Sequence, residues 1–224
     1  MTIKEYQILF NTPMVRAILT GQKTVTRRVM KFQPGADAVV TVGRYHPTII
    51  DRHGNAQPGP EVFGAWWQDG ECSCKSPYGQ PGDKLWVRES LGYDCEYGHY
   101  FAAGGAHGET VFLCSLFDDE ETQTGYSYDG LLPERSVPSI HLHRRYSRIL
   151  LEVTAVRVER LQDISRSDIR AEGLQCPPEL ASDDISPNYR DWFPAAFREL
   201  WNSTGGDWAA NPWVWVIEFK QVTP

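Results

Sequence analysis

No apolar run in the chain approaches ~20 residues, so nothing in it reads as a membrane-spanning helix. The opening MTIKEYQILF lacks the apolar stretch of a secretory leader, and a cytoplasmic protein is expected. Cysteine is scarce and odd in number, five in 224 residues, which suits a reducing compartment and argues against a disulfide scaffold. Cys72 and Cys74 form a C-x-C in what reads as a loop. Zinc sites favour wider spacing within each thiol pair and a second pair of ligands, and Cys95, His99 and Cys114 complete no such pattern. No metal and no cofactor is therefore expected. Repeats and low-complexity segments are absent. An excess of positive charge is missing too: 22 Lys and Arg stand against 29 Asp and Glu. A chain of formal charge −7 does not coat duplex DNA or an anionic membrane by bulk charge, although a small basic pocket remains open to it.

Apolar residues make up 41% of the chain, enough to fill a core, and eight Trp, ten Tyr and nine Phe make it rich in aromatics. One segment inverts the overall sign. From Tyr6 to Ala36 there are Arg16, Lys23, Arg27, Arg28 and Lys31 and no acid. At its centre lies GQKTVTRR, residues 21 to 28. A lysine works as a base only where burial or neighbouring cations depress its pKa, and Arg27 and Arg28 are placed to do this or to hold an anion.

The local pattern gives a strand from Gln7 to Phe10, then a helix capped at Thr12-Pro13, running through Val15, Ile18 and Leu19 and ended by Gly21. Thr24 to Val29 reads as a strand with Thr24, Thr26 and Arg28 on one face and Val25, Arg27 and Val29 on the other. Pro81-Gly82-Asp83 marks a turn into a strand from Lys84 to Glu89. Arg148 to Leu161 is a long β-branched strand, and Ser165 with Asp168 caps a short helix ending at Gly173, with Glu172 in its last turn. Trp192, Phe193, Ala196, Phe197, Leu200 and Trp201 recur at helical spacing. PWVWVIEF closes the chain as a strand with Trp213, Trp215, Ile217 and Phe219 on one face. Residues 33 to 82 read as weakly periodic, with room for one hairpin, and residues 92 to 138 as a second irregular stretch holding the acidic run Asp118-Asp119-Glu120-Glu121. Strands and helices do not alternate as βαβ units, so the expected class is mixed α+β, a small, mostly antiparallel barrel with flanking helices and long insertions.

Four pieces in this order carry a resemblance: the helix followed by GQKTVTRR, the strand PGDKLWV, the block EVTAVRVERLQDISRSDIRAEGL, and the terminal WVIEF. Together they resemble the ASCH domain, a relative of the PUA fold, and within it the bacterial N4-acetylcytidine amidohydrolases; the block from Glu152 to Leu174 aligns with those small enzymes without a gap. The resemblance implies a single domain over residues 1 to 224. Its core pieces lie at about 6–32, 81–90, 146–175 and 190–220, with insertions at about 33–80 and 92–138. The longer architecture resembles that of phage and prophage ASCH proteins. The resemblance also implies a β-barrel with a cleft, a nucleoside or RNA substrate, and a catalytic lysine, threonine and glutamate that fall on Lys23, Thr26 and Glu172.

On that basis the chain is expected to hydrolyse an N4-acylated cytidine or a related modified base. A threonine hydroxyl needs an adjacent base, which a neutral Lys23 would supply. Glu172 would hold Lys23 or protonate the exocyclic nitrogen, and Arg28 would stabilise an oxyanion or grip a phosphate. The basic stretch SIHLHRRYSR, residues 139 to 148, offers His141, Arg144, Arg145 and Arg148 as a phosphate-binding rim, with Tyr146 as a stacking platform. Glu89 would sit near the cleft. Two alternatives share these residues: a non-catalytic RNA or nucleotide reader, and a metal-independent ribonuclease pairing Lys23 with His141 or His143.

Overall fold

The computed structural model describes residues 3–68, 72–114, 132–175 and 187–222, with the backbone alone for 187–191. The acidic run at 118–121 lies outside the described residues. Among the described residues twelve strands form: β1 (Glu5–Leu9), β2 (Val25–Val29), β3 (Thr41–Tyr45), β4 (Thr48–Ile50), β5 (Ala56–Pro58), β6 (Val62–Trp67), β7 (Cys72–Lys75), β8 (Lys84–Arg88), β9 (Leu91–Asp94), β10 (Gly98–Phe101), β11 (Leu150–Arg160) and β12 (Trp213–Val222). Among the described residues three α-helices accompany them, α1 (Thr12–Leu19), α2 (Arg166–Ala171) and α3 (Pro187–Ser203). The class is mixed α+β, and among the described residues no helix is long and apolar enough to cross a membrane.

The central sheet has the order β1-β8-β11-β12-β2, with β1 parallel to β8 and the remaining pairs antiparallel. Its two longest strands are β11 and β12, and β12 is buried from Trp213 to Ile217 and at Phe219 because apolar residues occupy both of its faces there. Trp213, Trp215, Ile217 and Phe219 of β12 face one cluster with Ile8, Phe10, Val15, Ile18, Leu85 and Val87. Val214 and Val216 face a second cluster with Val25, Ile169, Phe193 and Phe197, beneath α2 and α3. Among the described residues no closed barrel is found. The sheet stays open, with β1 and β2 as its two edges.

The stretch from 33 to 82 holds far more regular structure than one hairpin. It contains the sheet β3-β6-β7 and the hairpin β4–β5, and it places Cys72 and Cys74 on a strand instead of in a loop. The four described cysteines are free. The β9–β10 hairpin organises the second insertion around a third small cluster of Leu91, Phe101, Leu113, Val137, Leu142 and Tyr146. These strands were missed because their alternation is diluted by Gly, Pro and short polar residues, while register and cross-strand partners decide the outcome.

The segment that carries Lys23 is set by local chemistry. Asn11 caps α1, its side chain accepting from the Met14 amide at 3.1 Å, one residue before the expected cap. Gly21, at φ 73°, ends the helix in the left-handed region, and the Gln22 and Lys23 amides fold back onto the Ala17 carbonyl at 2.8 Å each. The Thr24 amide then donates to Ala171 O at 2.8 Å, so the chain leaving α1 is stitched to the end of α2. At the start of α2, Ser165 Oγ accepts from the Asp168 amide at 3.1 Å as a capping box requires, but the Asp168 carboxylate turns to arginines instead of back to Ser165.

Gly173 makes this junction close. It sits at φ 94°, and an added Cβ would lie 2.9 Å from Ala17 Cβ and 3.2 Å from Lys23 Cβ. Gly173→Ala combines left-handed strain with a steric clash, and it is expected to cost about 2 kcal/mol or more. Thermal unfolding measures this directly: Tm should fall by several degrees, whereas Gly54→Ala, also left-handed but with nothing near its Cβ position, should fall less.

Candidate active site

Lys23 and Glu172 lie 149 residues apart in sequence and meet in the interior. Their main chains form an isolated antiparallel bridge. Lys23 Nζ donates to Glu172 Oε2 at 2.5 Å and to the Glu172 carbonyl at 3.0 Å. The two residues are 2% and 5% exposed, so the pair is removed from water. Burial is the largest influence on Lys23 and draws its pKa below the ordinary lysine value. Glu172 pulls the other way, and Arg28 and Arg27 add to the depression.

The other Glu172 oxygen, Oε1, accepts from Arg27 Nη1 at 3.3 Å. The Arg27 side chain is fully enclosed and fans across three acids, with Nη2 donating to Glu159 Oε1 at 2.6 Å and to Asp168 Oδ2 at 2.7 Å. Arg157 extends the network by donating to Asp168 at 2.6 Å, to Glu159 at 3.2 Å and to Glu218. Burial alone would raise the Asp168 carboxyl, but Arg27 and Arg157 more than offset it and hold it below the usual carboxylate range. Arg27 is therefore committed to fixing Glu172, not to gripping a substrate phosphate.

Strand alternation sends Arg28 the other way. Its guanidinium lies 5.2 Å from the Phe10 ring centroid and donates to the Leu9 carbonyl at 2.5 Å. The Lys23 ammonium lies over the same ring at 5.7 Å. Phe10 thus carries two cations on its π-face. Burial lowers Arg28 as well, opposed by Tyr78 and Glu172, and at neutral pH it stays a cation.

A cavity of about 590 Å³ opens beside these groups. Thr26, Arg27, Arg28 and Glu172 line it on one side, and Phe197, Leu200 and Trp201 of α3 with the following Ser203–Gly206 turn line it on the other. Lys23 sits one layer behind Glu172. Thr26 is 2% exposed yet contributes to the wall, and among the described residues its hydroxyl has no hydrogen-bond partner. The facing wall holds a second unengaged donor: Trp201 Nε1 is buried without a partner among the described residues, wedged against Gly206, where an added Cβ would fall 2.3 Å away.

The remaining sequence-derived candidates lie elsewhere. Glu89 is 1% exposed and paired with Arg148 at 2.7 Å; Arg148 also caps the Phe101 ring at 4.0 Å and donates to the Gly104 carbonyl. Burial pushes the Glu89 carboxyl up, with Arg148 partly offsetting it. This buried ion pair belongs to the third cluster and does not line the cavity. Tyr146 is 1% exposed and packs in that cluster, with Arg145 across its ring at 4.6 Å, so no face is presented for a base to stack on. Arg144 is tied to Glu5 at 2.6 Å. His141 and His143 are exposed, and from this stretch only Ser139 reaches the cavity wall. The basic run fails as a rim because its cations find partners within the fold. Among the described residues no group of three His, Cys, Asp or Glu is placed to hold a metal ion.

Sequence reasoning missed Phe10, the Trp201–Gly206 wall and the Arg27 network. A signal for the network was present, since Arg157 and Glu159 share a face of β11 at spacing two and Asp168 lies one turn before Glu172. No protein-family model, curated protein or solved structure matches the chain.

Two measurements test this arrangement. Glu172→Gln leaves Lys23 and Arg27 facing a neutral amide in the interior, and it should cost about 3–5 kcal/mol in urea unfolding. Asp168 has a depressed folded-state pKa, so its stabilising contribution is present above the ordinary carboxylate pKa and is lost as pH falls through the folded value. Acid unfolding of Asp168→Asn should show a shallower loss of stability below roughly pH 4 than the wild type.

Proposed function

We propose that the cavity is the active site of an amidohydrolase acting on an N4-acylated cytidine or a related modified nucleoside, in an ASCH-type domain of the PUA-like class. The observation that carries this reading is the buried Lys23–Glu172 contact behind a cavity wall that also presents a disengaged Thr26 hydroxyl and the Arg28 guanidinium. The resemblance of GQKTVTRR and of the block ending at Glu172 to the amidohydrolase motifs supports the same three residues.

The 2.5 Å contact gives a path along which one proton can pass between Lys23 and Glu172, and in this mechanism the pair acts as acid and base in turn. With the proton on the Glu172 carboxyl, Lys23 is a neutral amine. It takes the proton from Thr26 Oγ as that oxygen bonds to the acyl carbon, and the carbonyl electron pair moves to the acyl oxygen beside Arg28. As the tetrahedral centre collapses, the bond from carbon to N4 breaks and Glu172, which lines the cavity, gives its proton to the departing nitrogen. Lys23 returns its proton to Glu172. Water then cleaves the acyl–Thr26 ester, its proton removed by the same pair and one returned to Thr26. The net change is amide plus water to amine plus carboxylic acid.

The reader and ribonuclease alternatives have less support. Both draw on residues 139 to 148, whose arginines are engaged and whose histidines lie away from the cavity wall.

Incubation with N4-acetylcytidine should release cytidine and acetate, followed by chromatography. Thr26→Val and Lys23→Met should each lower kcat by about 10²–10⁴-fold, and Arg28→Met should lower it while the fold is kept. No turnover by the wild-type protein would retire this reading.

A further inference from the structure

The cavity is bounded by residues from both faces of β2, Thr26 and Arg28 from one and Arg27 and Val29 from the other. Residues of opposite faces border one space only where that space runs across the strand's edge, and Arg27, whose side chain is fully enclosed, is one of them. Among the described residues β2 is an edge strand, paired with β12 alone in the central sheet. The pairing is in unbroken register, Val29 opposite Val214 through Val25 opposite Glu218. Met30 N donates to Trp213 O at 3.0 Å and Phe219 N donates to Thr24 O at 2.9 Å. Even-numbered residues therefore exchange the ladder hydrogen bonds, and the N–H and C=O of Val25, Arg27 and Val29 point away from β12.

Such an edge is usually blunted or covered. Here the two ends differ. The bridge between Lys23 and Glu172 closes the edge at its start, and Val25 is packed beneath α3. From Arg27 to Val29 the edge borders the cavity, and the far wall is the α3 segment around Trp201. The open length is too short for an added peptide strand, whose affinity comes from a run of main-chain bonds. It suits a small planar group. An extended residue places its own N–H and C=O side by side, which matches a heterocycle carrying an acceptor next to a donor. The N3 acceptor and N4–H donor of an N4-acylated cytosine form such a pair.

We propose that the free main-chain edge of β2, the N–H and C=O of Arg27 and Val29, recognises the acceptor–donor edge of the bound base, so that specificity in this cavity is set by backbone and not by side chains. This inference rests on reading the cavity as a nucleoside site. It places the base in the plane of the sheet, with its pairing edge against β2 and its substituent directed toward Thr26 and Glu172. A base with the pattern reversed, such as uracil with N3–H beside a carbonyl, meets the same residue only by shifting along the strand, away from that alignment.

Proline provides the test, since it deletes one N–H and is tolerated on an edge strand where that N–H faces outward. N4-acetylcytidine is titrated calorimetrically into proteins carrying Thr26→Val, which prevents turnover by the proposed route. Adding Val29→Pro should weaken binding about tenfold relative to adding Val29→Ala, as for one lost hydrogen bond, while Tm stays within a few degrees of the Val29→Ala protein. Arg28→Pro, which removes a ladder bond, should lower Tm sharply. Amide exchange gives an independent readout. The Val29 amide should exchange rapidly in the free protein and slow on saturation with N4-acetylcytidine, while the Arg28 amide is protected throughout. Equal binding by the two Val29 variants, a protected Val29 amide in the free protein, or no binding of N4-acetylcytidine at millimolar concentration overturns the inference. Binding of the predicted kind without hydrolysis by the wild type upholds it and overturns the amidohydrolase reading alone.

Discussion

The contact between the Lys23 ammonium and the Glu172 carboxylate is the constraint around which this end of the molecule is built. Bringing the two together requires a helix that stops at Gly21, a chain that turns back on Ala17, a second helix whose last residues bridge to it, and a glycine at 173 where any side chain would keep the segments apart. Removing both charges from water is costly, and well-packed apolar residues of similar size would often be as stable or more so. The arrangement is therefore poorly explained as a device for stability. A buried lysine whose pKa is pulled down by burial and by two arginines, facing a cavity through its partner, is the pattern expected of a proton-transfer site.

Adjacent arginines take opposite tasks because a strand sends successive side chains to opposite faces. Arg27 points under α2 and is held by Glu159, Asp168 and Glu172, so its charge orients the carboxylate and raises the electrostatic potential at Lys23 without reaching a ligand. Arg28 points toward Phe10 and the cavity, held by one carbonyl and one ring, with no ion pair among the described residues. A cation positioned this way is suited to negative charge that develops during a reaction. The difference between the two follows from the alternation of β2 together with the acids that each face meets.

Much of this was legible in the chain. The helix ended by Gly21, the strand Val25–Val29 with its two faces, the capping serine at 165, the long strand at 150–160 and the alternating tryptophans of β12 all follow local rules that the fold leaves intact. The meeting of Lys23 with Glu172 was not legible from spacing; it entered with the family resemblance. The basic run at 139–148 misled because a sequence shows a charge but not its partner. Arg144 and Arg148 are answered by Glu5 and Glu89, each more than fifty positions away. The strands of the first insertion were lost for a related reason. Short segments such as Cys72–Lys75 become strands only when β6 lies alongside.

The placement of Lys23 behind Glu172 also bears on how such a site stays ready. A lysine open to water would be protonated at neutral pH and useless as a base. A lysine buried alone would be neutral but without a proton store. Pairing it with a carboxylate whose second oxygen is held by Arg27 meets both needs. Burial and the arginines favour loss of the lysine proton, the carboxylate is close enough to take it, and Arg27 keeps the carboxylate from turning away. Glu172 and not Lys23 forms the cavity wall, so under the proposed reaction a proton leaving the lysine would pass to the group nearer the cavity. In the proposed reaction the base and the acid would thus be joined by one short hydrogen bond, 2.5 Å from Lys23 Nζ to Glu172 Oε2.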